Sequence, residues 1–122
     1  MNAAQKPVLV VDDEKEIVDF LEKFISRFGY RVEKVTSGEA ALAFIESHGA
    51  RCVFLDIQMG GVDGIEVLRR IKKTYPDITV IMITGKAEKE VQTKAKRYGA
   101  ATYITKPLDL EDLSRRIKEY LV

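Results

Sequence analysis

Five polar residues carry the chemistry open to this chain: Asp12, Asp13, Asp56, Thr84 and Lys106. Each follows a short apolar run. Val8-Leu9-Val10-Val11 leads into Asp12-Asp13-Glu14, and Val53-Phe54-Leu55 into Asp56. Ile81-Met82-Ile83 leads into Thr84, and Tyr103-Ile104-Thr105 into Lys106. An apolar run without alternation suits a strand buried on both faces. If these strands are parallel, their carboxyl ends share one edge, where open α/β sheets hold their ligands. Carboxylates gathered there repel, since two unit charges 4 Å apart cost about 4 kcal/mol at an effective dielectric of 20. Such a trio calls for a cation, and oxygen ligands without His or Cys favour Mg²⁺ or a similar hard ion. A lysine and a hydroxyl beside a carboxylate–metal cluster suit phosphoryl transfer.

Taken singly, each residue has a plainer role. Asp12-Asp13-Glu14 could complement the dipole of a following helix. Asp56 and Thr84 could be turn residues, and Lys106 could be solvated. Their coincidence at four strand ends is what points to a site.

The elements that must position them alternate in type. Strands are expected over residues 7–11, 31–35, 52–55, 78–83 and 102–104. Between the first two, Ile17, Phe20, Leu21, Phe24, Ile25 and Phe28 form a helical stripe that Gly29 should stop as a left-handed cap. Thr36-Ser37-Gly38-Glu39 reads as a capping box opening a second helix, which ends at Gly49. Asp63 should cap a third helix, closed by Pro76. A fourth, over 87–98, has a thin stripe of Ala87, Val91, Ala95 and Tyr98. Asp109 should cap the last, with Leu110, Leu113, Ile117 and Leu121 on its inner face. Five strand–helix pairs imply a parallel sheet covered on both faces, with right-handed crossovers.

Composition narrows the class. The chain has 122 residues, 46% apolar and 32% charged, which suits one globular domain spanning residues 1–122. A formal net charge of +1 gives no reason to expect nucleic-acid or membrane binding. No apolar run nears the roughly 20 residues of a membrane span, and residues 1–6 lack the apolar core of a signal peptide. The lone Cys52 has no internal disulfide partner, which fits a reducing, cytoplasmic setting. Within its strand pattern it reads as a core thiol. His48, near a helix end, reads as a solvated residue favourable to the dipole.

These motifs, in order and on these elements, resemble the response-regulator receiver domain of two-component signalling. The resemblance runs from about Pro7 to Val122. It rests on Val-Val-Asp12-Asp13-Glu14, Leu55-Asp56-Ile57-Gln58-Met59, Asp63-Gly64, Thr84-Gly85, Gly99-Ala100 and Tyr103-Ile104-Thr105-Lys106-Pro107. Each motif is weak alone; together they are highly specific. The resemblance implies a flavodoxin-like (βα)5 fold with strand order 2-1-3-4-5. It implies that Asp56 is the phosphoacceptor, taking its group from the phosphohistidine of a sensor kinase or phosphotransfer protein. Asp13, Asp56 and the Gln58 backbone carbonyl would ligate Mg²⁺, with Asp12 acting through a metal-bound water. Lys106 would pair with the phosphoryl oxygens and Thr84 would hydrogen-bond to them. Thr84 and Tyr103 would form the switch pair, and Lys106-Pro107 the family's cis peptide. Output to a downstream target or effector is expected through the face made by the last two helices and the strand between them. The family also admits a phosphorylation-dependent dimer. Gln58 and Lys86 occupy positions that tune hydrolysis in the family. One departure is Met59-Gly60-Gly61, where the family usually has Met-Pro; glycine frees a backbone that proline would restrict.

Three other functions compete for the same residues. A haloacid-dehalogenase-like phosphatase also places Asp at a strand end, but wants an acid two residues on, where Gln58 stands. A nucleotide or flavin binder lacks G-x-x-x-x-G-K-[ST] and G-x-G-x-x-G. A docking receiver that is never phosphorylated fits poorly with an intact Asp12, Asp13, Asp56, Thr84 and Lys106 set. The chain stops at the end of the fifth helix, so no effector segment can be read from it.

Overall fold

The apolar runs form the strands, and the strand register decides which polar residues meet. The computed structural model describes residues 6–59, 63–85 and 89–121. In chain order the elements are β1 (Val8–Val11), α1 (Lys15–Ser26), β2 (Val32–Val35), α2 (Gly38–His48), β3 (Cys52–Asp56), α3 (Gly64–Thr74), β4 (Thr79–Thr84), α4 (Lys89–Arg97), β5 (Thr102–Thr105) and α5 (Leu110–Tyr120). All pairings are parallel, and the order is β2-β1-β3-β4-β5. This is the flavodoxin-like order that the resemblance implied.

Side chains alternate across a strand, and here the two series pack into two cores. Leu9, Val11, Val53, Leu55, Val80 and Met82 face α2, α3 and α4 through Ala41, Ile45, Val67, Leu68, Ile71 and Ala95. Val8, Val10, Cys52, Phe54, Ile81, Ile83 and Ile104 face α1 and α5 through Val18, Leu21, Ile25, Leu113, Ile117 and Leu121. Burial on both faces is why β1 and β3 are apolar at every position before the closing Asp56. The edge strands β2 and β5 are only partly buried and carry polar residues outward.

Several local expectations shift. The ladder runs one residue further than the apolar runs, taking Asp56, Thr84 and Thr105 into the strands. Pairing is a backbone matter: Ile57 N–H donates to the Ile83 carbonyl and Lys106 N–H to the Thr84 carbonyl, both at 2.8 Å. α1 ends at Ser26, not at Gly29. Arg27, Phe28 and Gly29 donate to the carbonyls three residues back, tightening the helix before Gly29 reverses it at φ 93°. The capping box at Thr36–Glu39 does not form. Ser37 is the N-cap, accepting from Ala40 N–H at 3.1 Å, and Ala40 has no carboxylate to return the bond. Asp63 and Asp109 cap α3 and α5 as expected, accepting from Ile65 N–H and Glu111 N–H.

Candidate functional site

Register brings the acidic residues together. Val11 pairs with Leu55, so Asp12 and Asp56, one step on, are neighbours on adjacent strands. By alternation Asp12, Asp56 and Lys106 continue the series of Val10, Phe54 and Ile104, whereas Thr84 continues that of Met82. Carboxylate oxygens of Asp12, Asp13 and Asp56 all lie within 4.8 Å of one another. Asp12 and Asp56 are 0% and 2% exposed, and Asp13 lies at the surface. Thr84 is buried at the end of β4.

The Asp56 carboxylate is held from two sides. Its Oδ1 accepts from Gln58 N–H at 3.1 Å, and Lys106 Nζ stands 3.5 Å from its Oδ2. Burial and the Asp12 charge push Asp56 up to about 6, against the opposing pull of the Gln58 amide and Lys106. It is therefore ionised at neutral pH yet more basic than a free carboxylate, which favours it as a nucleophile. Lys106 works the other way. Burial disfavours its charge, but contacts with Glu14, Asp12 and Asp56 hold it above the usual lysine range.

One oxygen bears on the metal. Asp12 Oδ1 accepts from Glu14 N–H at 3.0 Å, while Oδ2 is buried without a hydrogen bond. Lys106 Nζ lies 3.0 Å from Oδ2 but without hydrogen-bond alignment. A buried carboxylate oxygen with spare acceptor capacity is costly unless something satisfies it. Three clustered carboxylates around it fit a hard divalent ion such as Mg²⁺.

The approach of α3 completes the site. Gly64 opens this helix, and a Cβ there would lie 2.2 Å from the Asp56 carbonyl oxygen. Gly64 N–H donates to the Ile57 carbonyl at 3.0 Å. Only glycine lets a helix start this close to the backbone of Asp56. Beside Asp13 a groove of about 580 Å³ opens, lined by Gln58, Met59, Asp63, Ile65, Val91 and Lys94 among others.

Of the remaining expected site residues, Tyr103 lies on β5 with 37% of its surface exposed. It pairs in register with Met82, two residues before Thr84. Gln58 directs an exposed side chain from the turn after β3. The Lys106–Pro107 bond is cis. Lys86 and the Gly60-Gly61 departure lie outside the described residues, as does Ala87 of the fourth helical stripe. The sequence reading missed Glu14, whose Oε1 is 2.6 Å from Lys106 Nζ. Its only signal was its place in the acidic run that holds Asp12 and Asp13.

A parallel sheet of order 2-1-3-4-5, with carboxylates, a hydroxyl and a lysine gathered at the carboxyl ends of its strands, defines a doubly wound domain with a cation and anion site at its switch edge. Comparison with known proteins places the chain within that class. Residues 8–118 match the response regulator receiver domain. Sporulation initiation phosphotransferase F of Bacillus subtilis is 32% identical, the alignment covering 93% of this chain and 92% of that protein. Regulatory protein VanRc of Enterococcus gallinarum is 34% identical over 93% of this chain; the chain spans about half (49%) of that relative's length. Among solved structures, the receiver domain of NtrX from Brucella abortus aligns with TM-score 0.87 and 36% identity, covering 93% of this chain and 97% of that one. A CheY-like receiver domain protein from Methanospirillum hungatei aligns with TM-score 0.88 and 34% identity, covering 93% and 91%. The chain belongs to the response regulator receiver domain family, the phosphoryl-accepting switches of two-component signalling. A phosphatase is therefore not the favoured reading. Among the described residues, no helix is long and apolar enough to cross a membrane.

Proposed function

We propose that Asp56 is the residue that accepts the phosphoryl group, from a phosphohistidine of a sensor kinase or phosphotransfer protein. The observation that carries this reading is a buried carboxylate between the Gln58 amide and the Lys106 ammonium. An Asp56 oxygen attacks phosphorus as the phosphorus–nitrogen bond to the donor imidazole breaks, and the bonding pair leaves with that nitrogen. Asp12, Asp13, Asp56 and the Gln58 backbone carbonyl would hold Mg²⁺. Its chemistry when bound is neutralisation of charge between the attacking and transferred oxygens. Lys106 balances the charge that remains on the phosphoryl oxygens, and Thr84 hydrogen-bonds to them. The same pocket supports the chain's own autodephosphorylation, with Gln58 and Lys86 tuning water access. The groove beside Asp13 leaves room for the donor.

Output runs through the face made by α4, β5 and α5, with Thr84 and Tyr103 as the switch pair, to a target, an effector domain or a second copy of the chain. The buried, unpaired Cys52 supports a cytoplasmic setting. Incubation with acetyl phosphate and Mg²⁺, followed by borohydride trapping and mass spectrometry, should place the acyl phosphate on Asp56. Full labelling of Asp56→Asn would overturn the assignment.

A further inference from the structure

Lys106 has a closer partner than either carboxylate beside it in the pocket. Its Nζ lies 2.6 Å from Glu14 Oε1, against 3.0 Å from Asp12 and 3.5 Å from Asp56. Glu14 occupies the N-cap position of α1, yet its side chain caps no backbone N–H of that helix. Its own N–H is taken by Asp12 Oδ1. The Glu14 carboxylate is thus committed to a lysine 92 residues away in sequence, not to the helix it precedes. The two partners differ in exposure: the Glu14 side chain is 60% exposed and that of Lys106 18%. The pair thus sets an exposed anion on the solvent side of a half-buried ammonium.

An ammonium has three donors, and three carboxylates already surround this one. New anionic oxygens on Asp56 must displace one of them. Asp12 is fully buried and has nowhere to go. Asp56 carries the incoming group. Glu14 can swing into water at small cost, because pairs this exposed are worth little.

We propose that Glu14 is a displaceable stand-in for the phosphoryl group. It holds Lys106 while Asp56 is bare and releases it when phosphoryl oxygens arrive, so it sets the affinity of the site for that group. This rests on the reading of Asp56 as acceptor. Glu14 acts through Lys106 and is a positioning residue.

The test uses beryllofluoride with saturating Mg²⁺, its affinity read from amide shifts. Wild type, Glu14→Gln, Lys106→Gln and the double variant form a cycle. Glu14→Gln should bind about 2- to 5-fold tighter, the span expected for loss of one exposed pair. That gain should vanish in the Lys106→Gln background. A gain of equal size in both backgrounds overturns the proposal, because removing any nearby negative charge would produce it. No gain in either also overturns it. If Lys106→Gln fails to fold, the side-chain carboxyl carbon of Glu14 in wild type decides. Beryllofluoride should move its resonance to that of a free glutamate, and a resonance that stays put overturns the proposal. A wild-type chain that binds no beryllofluoride overturns the acceptor reading of Asp56 and the role of Glu14 with it. Binding with Glu14 unmoved overturns the role of Glu14 alone.

Discussion

The raised acidity range of Asp56 has a consequence for stability at the scale of the single residue. Its value in the fold, about 6, lies above the ordinary 3.8. Between these two values the folded chain holds a proton that the unfolded chain has released. Stability from this group is therefore full at low pH, falls as pH rises through that window, and stays low above it. Asp56→Asn should flatten the slope and stabilise the metal-free protein at pH 7 by about 3 kcal/mol, at roughly 1.4 kcal/mol per pH unit over that window. Urea melts at several pH values check this; a wild-type-minus-variant difference that is constant from pH 4 to 7.5 would refute it. Mg²⁺ at about 100 times its Kd should return about 2.7 kcal/mol to wild type and little to the variant. The residues of this site were legible because each polar residue ended an apolar run. Two things were not legible. The burial difference between Asp12 and Asp13 depends on which side of the strand end each faces. The pairing of Glu14 with Lys106 joins opposite ends of the chain.

At the scale of the element, the start of α3 is the most constrained point around the site. The first residue of this helix is pressed against the Asp56 carbonyl, and a methyl there would also lie 2.7 Å from Ile57 Cα. Both neighbours are backbone, which cannot rotate away as a side chain can. Gly64→Ala should therefore cost about 2–3 kcal/mol, at the upper end of overpacking penalties, despite the higher helix propensity of alanine. It should also slow labelling of Asp56, because the strain falls on the proposed acceptor's own peptide. Equilibrium unfolding and acetyl phosphate labelling together check this; a variant as stable as wild type would show that the helix can back away. The sequence announced the Asp63 cap correctly, since a capping side chain acts within two residues. It misplaced the cap of α2, because Thr36 completes the capping-box pattern with Glu39 whereas the backbone path selects the neighbouring hydroxyl of Ser37. Strand ends were short by a residue wherever a polar side chain continued a backbone ladder.

At the scale of the whole molecule, the core under α2, α3 and α4 holds its helices unequally. α3 buries Val67, Leu68 and Ile71, whereas Ala95 is the one buried side chain of α4 among the described residues. A buried Val or Leu contributes about 1.5–3 kcal/mol, and an alanine far less. Amides of α4 should therefore exchange with an opening free energy at least about 2 kcal/mol below those of α3. Beryllofluoride with Mg²⁺ should change exchange and amide shifts across α4, β5 and α5. Thr84→Ala should still be labelled on Asp56 but show a weaker change there. Changes confined to the loops around Asp56, or centred on α1, would refute this output face. The thin stripe of α4 was readable from its alanines. The strand order was not readable from periodicity, since alternation fixes the faces of a strand and not its neighbours; it came from the resemblance. The close seat of Gly64 adds a mechanical consequence. A load applied at Asp56 divides between its flanks according to their compliance. The α3 flank is stiff, for the helix rests on the loaded residue's own backbone with no side chain between to compress. The α4 flank, where the small Ala95 is the one buried side chain among the described residues, is the compliant one. On the proposed output face, one missing methyl in α3 would direct the travel of the switch, sending displacement toward α4 and keeping the opposite flank as its fixed abutment.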